Sequence, residues 1–116
     1  MKNIILISFL FSLSFSYIIY PEDNSTLNTT HILFEWEQVP GATSYLFTIY
    51  NDETGITDYA TTESLIHINS SFCNWSNSYT WYVCPIYADA NQGECIPNSL
   101  GNIYNSFHIS ASRSSG

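Results

Sequence analysis

Three short runs of the sequence alternate between large apolar and polar side chains, with a repeat of two residues. They lie at 32–37, 45–50 and 79–84. Successive side chains of a β-strand point to opposite faces, whereas an α-helix repeats every ~3.6 residues. The repeat therefore predicts strands that bury one face and expose the other to water. The inward rows are Ile32, Phe34, Trp36, Tyr45, Phe47, Ile49, Tyr79, Trp81 and Val83.

Shorter apolar runs, separated by clusters of Gly, Pro, Asn and Asp, complete the pattern. They lie at 17–20, 56–60, 65–68 and 104–110 and bring the predicted strands to seven. Turn signals at intervals of roughly 8–12 residues between such strands are typical of a β-sandwich. We therefore predict an all-β, seven-stranded antiparallel β-sandwich over 17–110, with a polar loop at 22–30 and a flexible tail or linker at 111–116.

The N-terminus has the pattern of a signal peptide. Lys2 provides a short positive segment, and 4–13 is an apolar run too short for a bilayer core that needs roughly twenty residues. The tripeptide 14–16 has a small residue at each end, as signal peptidase requires. We predict a secreted protein with a leader at 1–16. An uncleaved leader, prolonged through 17–20, would instead anchor the chain in a membrane.

Export would place the three cysteines in an oxidising compartment, where a disulfide persists. Cys84 and Cys95 flank the turn signal at 89–93, so we predict that they form a bridge between neighbouring strands. Closing so short a loop contributes roughly 2–3 kcal/mol. A Cys73–Cys95 pairing stays open. The third cysteine remains free or pairs with another chain.

The charge of the chain is one-sided. Ten acidic residues stand against Lys2 and Arg113, and the formal net charge is −8. A surface with so few basic groups repels the phosphates of nucleic acids and anionic lipids, because it has almost no cations with which to release their counterions. We therefore predict no nucleic-acid partner, and a membrane association only through an uncleaved leader.

The sequence contains no motif that predicts catalysis, a cofactor or a metal site. Asp52, Glu53 and Asp58 fall near one turn, but no regular calcium-binding loop organises them, so we interpret the turn as solvated. His67 and His108 are predicted to point outwards as scattered surface histidines. There is no G-x-S-x-G elbow and no CxxC pair. We therefore predict that the protein is not an enzyme.

The strand sequences resemble those of a known family. The tripeptide 34–36 and the segment 39–45 are similar to the second and third strands of fibronectin type III domains of the bacterial kind, in which a Trp is buried and a Tyr opens the third strand. The segments 79–83 and 107–109 are similar to the last two strands. The resemblance covers roughly residues 18–110 and implies an immunoglobulin-like sandwich, but no particular function.

Two features depart from the family pattern. The family usually carries a Leu six residues before the position of Tyr79, where this chain has Cys73, with Phe72 and Trp75 nearby. The resemblance thus implies that an aromatic side chain replaces the Leu, or that the corner beneath the tyrosine is built differently. The connection between the last two strands is also longer than usual. It offers a place for a binding surface or a second small hairpin.

Aromatic side chains at outward positions are the main indication of function in the sequence. Tyr50, Tyr82, Tyr87 and Tyr104 are the candidate binding surface, because exposed tyrosines give rigid, amphipathic contact area for sugars or proteins. Alternatively, they cover the sheet beside the disulfide or pack on a neighbouring domain. The leading hypothesis is a secreted, non-catalytic interaction, adhesion or spacer module with an extracellular protein partner. The alternatives are a carbohydrate-binding module with a glycan ligand and an N-terminal accessory domain of a larger secreted enzyme.

Overall fold

The computed structural model describes residues 16–69 and 71–110, and the regular structure there consists of strands alone. Apart from its last residue, the predicted leader lies outside the described residues, as does the predicted tail at 111–116. The described residues contain no helix that is long and apolar enough to cross a membrane. The strands are β1 (Ile18–Tyr20), β2 (Ser25–Leu27), β3 (Ile32–Trp36), β4 (Ala42–Asn51), β5 (Thr57–Thr62), β6 (Ile66–Asn69), β7 (Ser78–Tyr87) and β8 (Asn105–Ile109).

These strands form two sheets that face each other as a sandwich. β1, β3 and β6 make a three-stranded antiparallel sheet with β3 at its centre. The five-stranded sheet has the order β2-β8-β7-β4-β5, and it is antiparallel except where β2 pairs with β8. The prediction of an all-β sandwich is therefore confirmed.

The prediction of seven antiparallel strands is wrong, because the described residues form eight. The additional strand, β2, lies in the segment 22–30 that was predicted as a loop, and it runs parallel to β8. Beside it, the Asn24 amide donates to the carbonyl of Ser106 (2.7 Å), and the Ser106 amide donates to the Asp23 carboxylate (2.8 Å). A strand of three residues is too short to show a detectable alternation. It is a strand because it pairs with β8, which is distant in the sequence.

Aromatic rings from both sheets form the centre of the core. The Phe34 ring of β3 contacts the rings of Phe47 and Trp81, with centroids 4.7 and 4.8 Å away. Burial of about 150–250 Å² per ring at about 25 cal/mol per Å² contributes up to about 4–6 kcal/mol each. The predicted inward rows of β3, β4 and β7 are all buried, which confirms them.

Two side chains pack beneath Tyr79, where the family pattern has a Leu. Cys73 is buried, and the Phe72 ring lies edge-on to the Tyr79 ring with the centroids 5.9 Å apart. The Tyr79 hydroxyl accepts hydrogen bonds from the Asn74 amide (2.6 Å) and the Asn51 side chain (3.4 Å). The tyrosine is therefore held at both its ring and its hydroxyl.

A disulfide joins Cys84 of β7 to Cys95, which confirms the predicted bridge. The chain after β7 returns along that strand, and the Ile96 amide donates to the carbonyl of Val83 over 2.8 Å. Cys73 has a free thiol and is buried. The alternative pairing of Cys73 with Cys95 is therefore wrong, and in the folded domain this thiol is covered from other chains.

The prediction that His67 points outwards is wrong. His67 stands opposite Phe34 in the ladder between β6 and β3, so both side chains face the core. Ile66 and Ile68 point outwards instead and are 43% and 65% exposed. The residues of β6 do alternate, but its isoleucines form the exposed face while His67 and Asn69 face inwards, so the apolar face of this strand is not the buried one. The outward orientation predicted for His108 is confirmed by the burial of its neighbours in β8.

Candidate functional site

Two neighbouring rows of side chains cross the outer face of the five-stranded sheet. In the first row, Thr48 of β4 stands opposite Tyr59 of β5 on one side and Tyr82 of β7 on the other. In the second row, Tyr50 of β4 stands between two threonines. Neighbouring strands are about 4.8 Å apart, and directly opposite residues point to the same face. The rings of Tyr59 and Tyr82 therefore rise from backbones roughly 10 Å apart, with Thr48 between them.

A fourth tyrosine extends the first row towards β8. Trp81 of β7 stands opposite Asn105, which places the preceding residue, Tyr104, beside Tyr82. The two tyrosine rings are perpendicular, with centroids 5.2 Å apart. Asn105 is fully buried and accepts a hydrogen bond from the Asn98 side chain over 2.9 Å. This buried amide pair holds the turn that carries Tyr104.

The four tyrosines enclose a depression of about 400 Å³, which we call the tyrosine groove. Three of its four rings are open to solvent, since Tyr50, Tyr59 and Tyr104 are 42%, 64% and 63% exposed, whereas Tyr82 is half-buried. Clustered exposed apolar surface in a folded domain marks an interaction site more often than isolated exposed residues do. The lining residues are Thr48, Tyr50, Asp52, Thr57, Tyr59, Thr80, Tyr82 and Tyr104.

Thr48 lies at the floor of the tyrosine groove and is the buried member of its lining. Its side chain is 3% exposed. Its hydroxyl oxygen is buried and has no hydrogen-bond partner among the described residues. A buried hydroxyl in this state costs about 1–3 kcal/mol relative to one that is paired. The floor of the groove thus holds a polar group that the fold itself leaves unsatisfied.

Asp52 gives one end of the tyrosine groove a negative charge. Its carboxylate accepts a hydrogen bond from the Thr80 hydroxyl, with oxygen distances of 3.1 and 3.3 Å, and its amide donates to the carbonyl of Ser78 (2.9 Å). Lys2 and Arg113, the two basic residues of the sequence, lie outside the described residues. The described surface around the groove is therefore acidic, without a lysine or arginine to offset Asp52.

A second, polar depression adjoins the tyrosine groove and shares Asp52 with it. We call it the polar pocket; its volume is about 310 Å³. Within it the Ser78 hydroxyl is hydrogen-bonded to Nδ1 of His108 over 2.8 Å. The Thr26 side chain, opposite His108, and the Ser106 side chain, opposite Thr80, face the same side, whereas Ser25 stands opposite Phe107 and points towards the core. The lining residues are Asn24, Ser25, Thr26, Asp52, Ser78, Ser106, Phe107 and His108.

The structure brings three of the four candidate tyrosines together. Tyr50, Tyr82 and Tyr104 line the tyrosine groove. Tyr87 lies apart, at the end of β7, where its ring covers the returning segment. A Cβ placed on Gly93 would come within 2.5 Å of that ring, and one on Gly41 within 3.8 Å. Tyr87 therefore packs against the turn that follows β7. That turn forms a small hairpin, because Gln92 pairs back with Ile86 in a single antiparallel bridge.

Tyr59 is the groove residue that sequence reasoning missed. It lies on β5, which was predicted only as a short edge strand, and it is among the most exposed aromatic residues described. The alternation within β5 was the available signal, because Tyr59 shares its face with Thr57 and Thr61. What the sequence could not provide was the pairing with β4 that sets Tyr59 beside Thr48.

The acidic residues near the turn after β4 do not converge. Asp52 points to the outer face, while Asp58 stands opposite the buried Ile49 on the other side of β5. The side-chain oxygen of Asn51 accepts from the amides of Glu53 (2.8 Å) and Thr54 (3.2 Å) and so fixes the turn. Within residues 16–69 and 71–110, no three His, Cys, Asp or Glu side chains are grouped to hold a metal ion.

Comparison with known proteins gives no relative for this chain. No family model matches the chain, and no curated protein or solved structure is significantly similar to it. The features that indicate a function for this protein are therefore its own tyrosine groove and polar pocket.

Proposed function

We propose that this protein is a secreted, non-catalytic binding module whose ligand lies in the tyrosine groove. The observation that carries the proposal is the cross-strand row in which Tyr59 and Tyr82 flank Thr48, with Tyr104 edge-on to Tyr82. Tyrosines supply large contact area at a low cost in side-chain entropy, and they are common at the centres of binding surfaces. Here they stand on a rigid sheet, which keeps the groove formed before a ligand arrives.

We further propose that the domain belongs to the fibronectin type III kind. The strand orders support this: immunoglobulin-like sandwiches have the first, second and fifth strands in one sheet and the third, sixth and seventh in the other. If β2 is counted as an addition to the first strand, the present sheets have the same division. The hydroxyl of Tyr79, near the start of β7, also bonds backbone upstream, as the tyrosine corner of these folds does.

Secretion is supported by the disulfide together with the leader pattern. A disulfide persists in an oxidising compartment and is rare where thiols are kept reduced. Cys84 is fully buried, so the bridge belongs to the interior of the domain and anchors the segment that leads to Tyr104.

A non-catalytic role is supported by the way the polar groups near the groove are paired. Asp52, Ser78 and His108 all line the polar pocket, but their hydrogen bonds do not form a relay. The Asp52 carboxylate accepts from Thr80, and the Ser78 hydroxyl is bonded to Nδ1 of His108. A serine nucleophile needs a histidine that is itself oriented by a carboxylate, which is not the arrangement here.

The experiment that tests the groove measures retention of the purified protein on extracellular ligands and compares groove variants with a matched control. The ligands are immobilised neutral and acidic polysaccharides, basic peptides and extracellular matrix proteins. We expect retention on one of these classes, and a loss of about tenfold or more in affinity for Tyr59→Ala and Tyr82→Ala. Trp75→Ala is the control, because Trp75 is 42% exposed, like Tyr50, but lies outside the groove.

Two results would overturn this proposal. The first is a bound ligand whose affinity is the same for the wild type, Tyr59→Ala and Tyr82→Ala, since the contact would then lie elsewhere. The second is the absence of retention on every class. Thermal unfolding of each variant establishes that it is folded before its affinity is interpreted.

A further inference from the structure

We propose that the ligand is a neutral oligosaccharide, which crosses the strands from the tyrosine groove over Asp52 into the polar pocket. This inference rests on the proposed function, because it takes the tyrosine groove as the binding surface. It adds the chemical class of the ligand, its direction on the sheet and a second subsite.

The tyrosine groove combines the two kinds of contact that a sugar ring requires. A sugar ring has apolar C–H faces and a rim of hydroxyl groups, so it stacks on an aromatic ring while its edge forms hydrogen bonds. Tyr59 and Tyr82 offer such rings on either side of Thr48. Hydroxyl and carboxylate groups of Asp52, Thr57 and Thr80 border the same depression.

The hydroxyl groups of both depressions point to a ligand that both donates and accepts hydrogen bonds. Among the described residues, the buried side-chain hydroxyls without a partner are those of Thr48 and Ser25. Thr48 lies at the floor of the tyrosine groove, whereas Ser25 stands opposite Phe107 and points towards the core; the polar pocket instead offers the outward hydroxyls of Thr26 and Ser106. A sugar hydroxyl can satisfy that of Thr48 and pair with those of Thr26 and Ser106, because a hydroxyl is both donor and acceptor. Exposed side chains such as Tyr59 change rotamer within picoseconds to nanoseconds, which gives a ligand access to the floor.

The charge of this face argues for a neutral ligand over other chains that stack on aromatic rings. Single-stranded nucleic acids also stack on tyrosines, but they need a positively charged groove for their phosphates. The described residues contain no lysine or arginine, and Asp52 lies where the two depressions meet. Sulfated or uronic-acid polysaccharides are disfavoured for the same reason. A basic peptide would find one carboxylate in a lining that is otherwise mainly hydroxyl groups and tyrosine rings.

The two depressions together define the direction of the ligand. Their lining residues come from β5, β4, β7, β8 and β2, which is the order of the strands in the sheet. Five strands at about 4.8 Å spacing span roughly 20 Å. A linear chain of several linked sugars can therefore cover the tyrosine groove and the polar pocket at once, whereas a disaccharide fills only one of them.

The test is calorimetric titration of the purified protein with defined ligands. The neutral probes are linear gluco-, xylo-, manno- and N-acetylglucosamine oligosaccharides, each as disaccharide and hexasaccharide. Oligogalacturonate and oligolysine are the charged probes. We expect binding of at least one neutral hexasaccharide, tighter than its disaccharide, and neither charged probe to compete. Tyr82→Ala should weaken binding about tenfold or more, Tyr82→Phe much less, and Thr48→Val roughly two- to tenfold.

The polar pocket has its own variant. Ser106→Ala removes a hydroxyl from the pocket and should lower the affinity for the hexasaccharide but not for a disaccharide held in the tyrosine groove. Equal affinities of disaccharide and hexasaccharide in the wild type would overturn the crossing geometry. Trp75→Ala again serves as the control for effects of aromatic removal outside the groove.

The failure of this inference differs from the failure of the proposed function. One outcome is that oligogalacturonate or oligolysine binds, that Tyr82→Ala weakens this binding, and that the neutral sugars do not bind. The ligand class is then wrong, but the groove remains the binding surface. If a neutral sugar binds equally to the wild type, Tyr59→Ala and Tyr82→Ala, the groove itself is wrong. If none of the neutral oligosaccharides binds, the ligand class is wrong.

Discussion

The ring of Tyr104 stands perpendicular to the ring of Tyr82, at a centroid distance of 5.2 Å, although Tyr104 lies at the far end of the long connection that follows β7, the strand of Tyr82. The Cys84–Cys95 disulfide fastens the middle of that connection to β7, and the buried Asn98–Asn105 amide pair fastens its end. The long connection therefore contributes Tyr104 to the tyrosine groove, and the disulfide and the amide pair hold that tyrosine in place.

Thr48→Val is predicted to make the protein more stable and its binding weaker. The hydroxyl of Thr48 is buried without a partner, and valine has the same shape without the polar group. We expect the free energy of unfolding to rise by about 1–2 kcal/mol, measured by urea denaturation. The matched control is Thr80→Val, which removes a hydroxyl that donates to Asp52 and should not stabilise. A loss of stability in Thr48→Val would mean that this hydroxyl is paired in the folded protein.

Removal of the disulfide is predicted to lower both stability and affinity. In the double variant Cys84→Ala/Cys95→Ala, the free energy of unfolding should fall by roughly 2–3 kcal/mol, because the unfolded chain regains the entropy of an open loop. The midpoint of urea denaturation measures this change. Ligand affinity should also fall, since the connection to Tyr104 is less restrained. Glu94→Ala, an exposed change beside the bridge, should alter stability by no more than about 0.5 kcal/mol.

The stability of the protein is predicted to decrease as the pH falls below 6.5, the ordinary pKa of histidine. Burial between Phe34 and Phe47 lowers the pKa of His67 in the folded protein, and the charge of Asp58 offsets part of this effect. Because the unfolded chain takes up a proton first, acid favours unfolding from about pH 6.5 down through the lowered pKa.

His67→Gln should remove this part of the pH dependence, whereas the exposed His31→Gln should leave it in place. The measurement is the free energy of unfolding by urea at several values between about pH 5 and pH 7. An unchanged slope in His67→Gln would contradict the assignment of the effect to this residue.

The thiol of Cys73 is predicted to be unreactive while the protein is folded. Burial raises the pKa of Cys73 to about 12, and the thiolate is the reactive form. At about pH 8, iodoacetamide should therefore label the folded protein very slowly and the guanidinium-unfolded protein quickly, as followed by mass spectrometry. Since the other two cysteines are bridged, labelling reports on this residue. Fast stoichiometric labelling of the folded protein would show that the thiol is exposed.

Sequence reasoning succeeded where one strand carries a strong pattern of its own. The inward rows of β3, β4 and β7 were predicted correctly because bulky and polar residues alternate within each run. The bridge between Cys84 and Cys95 was also accessible, since both cysteines flank one turn signal. It failed for β6, where the isoleucines alternate with His67 and Asn69 but face the solvent, so that the pairing of His67 with Phe34 decides which side is buried.

The sequence by itself determined the class of fold and the inward rows of β3, β4 and β7, favoured the Cys84–Cys95 bridge over one alternative, and gave three of the four groove tyrosines as outward candidates. Only the tertiary structure decided that β2 exists, that Tyr87 lies apart and that Tyr59 joins the others around Thr48. The physical reason is that side-chain alternation is a local property of each strand's backbone. Neighbours across a sheet are instead set by the register of strands distant in the chain, which no single strand encodes.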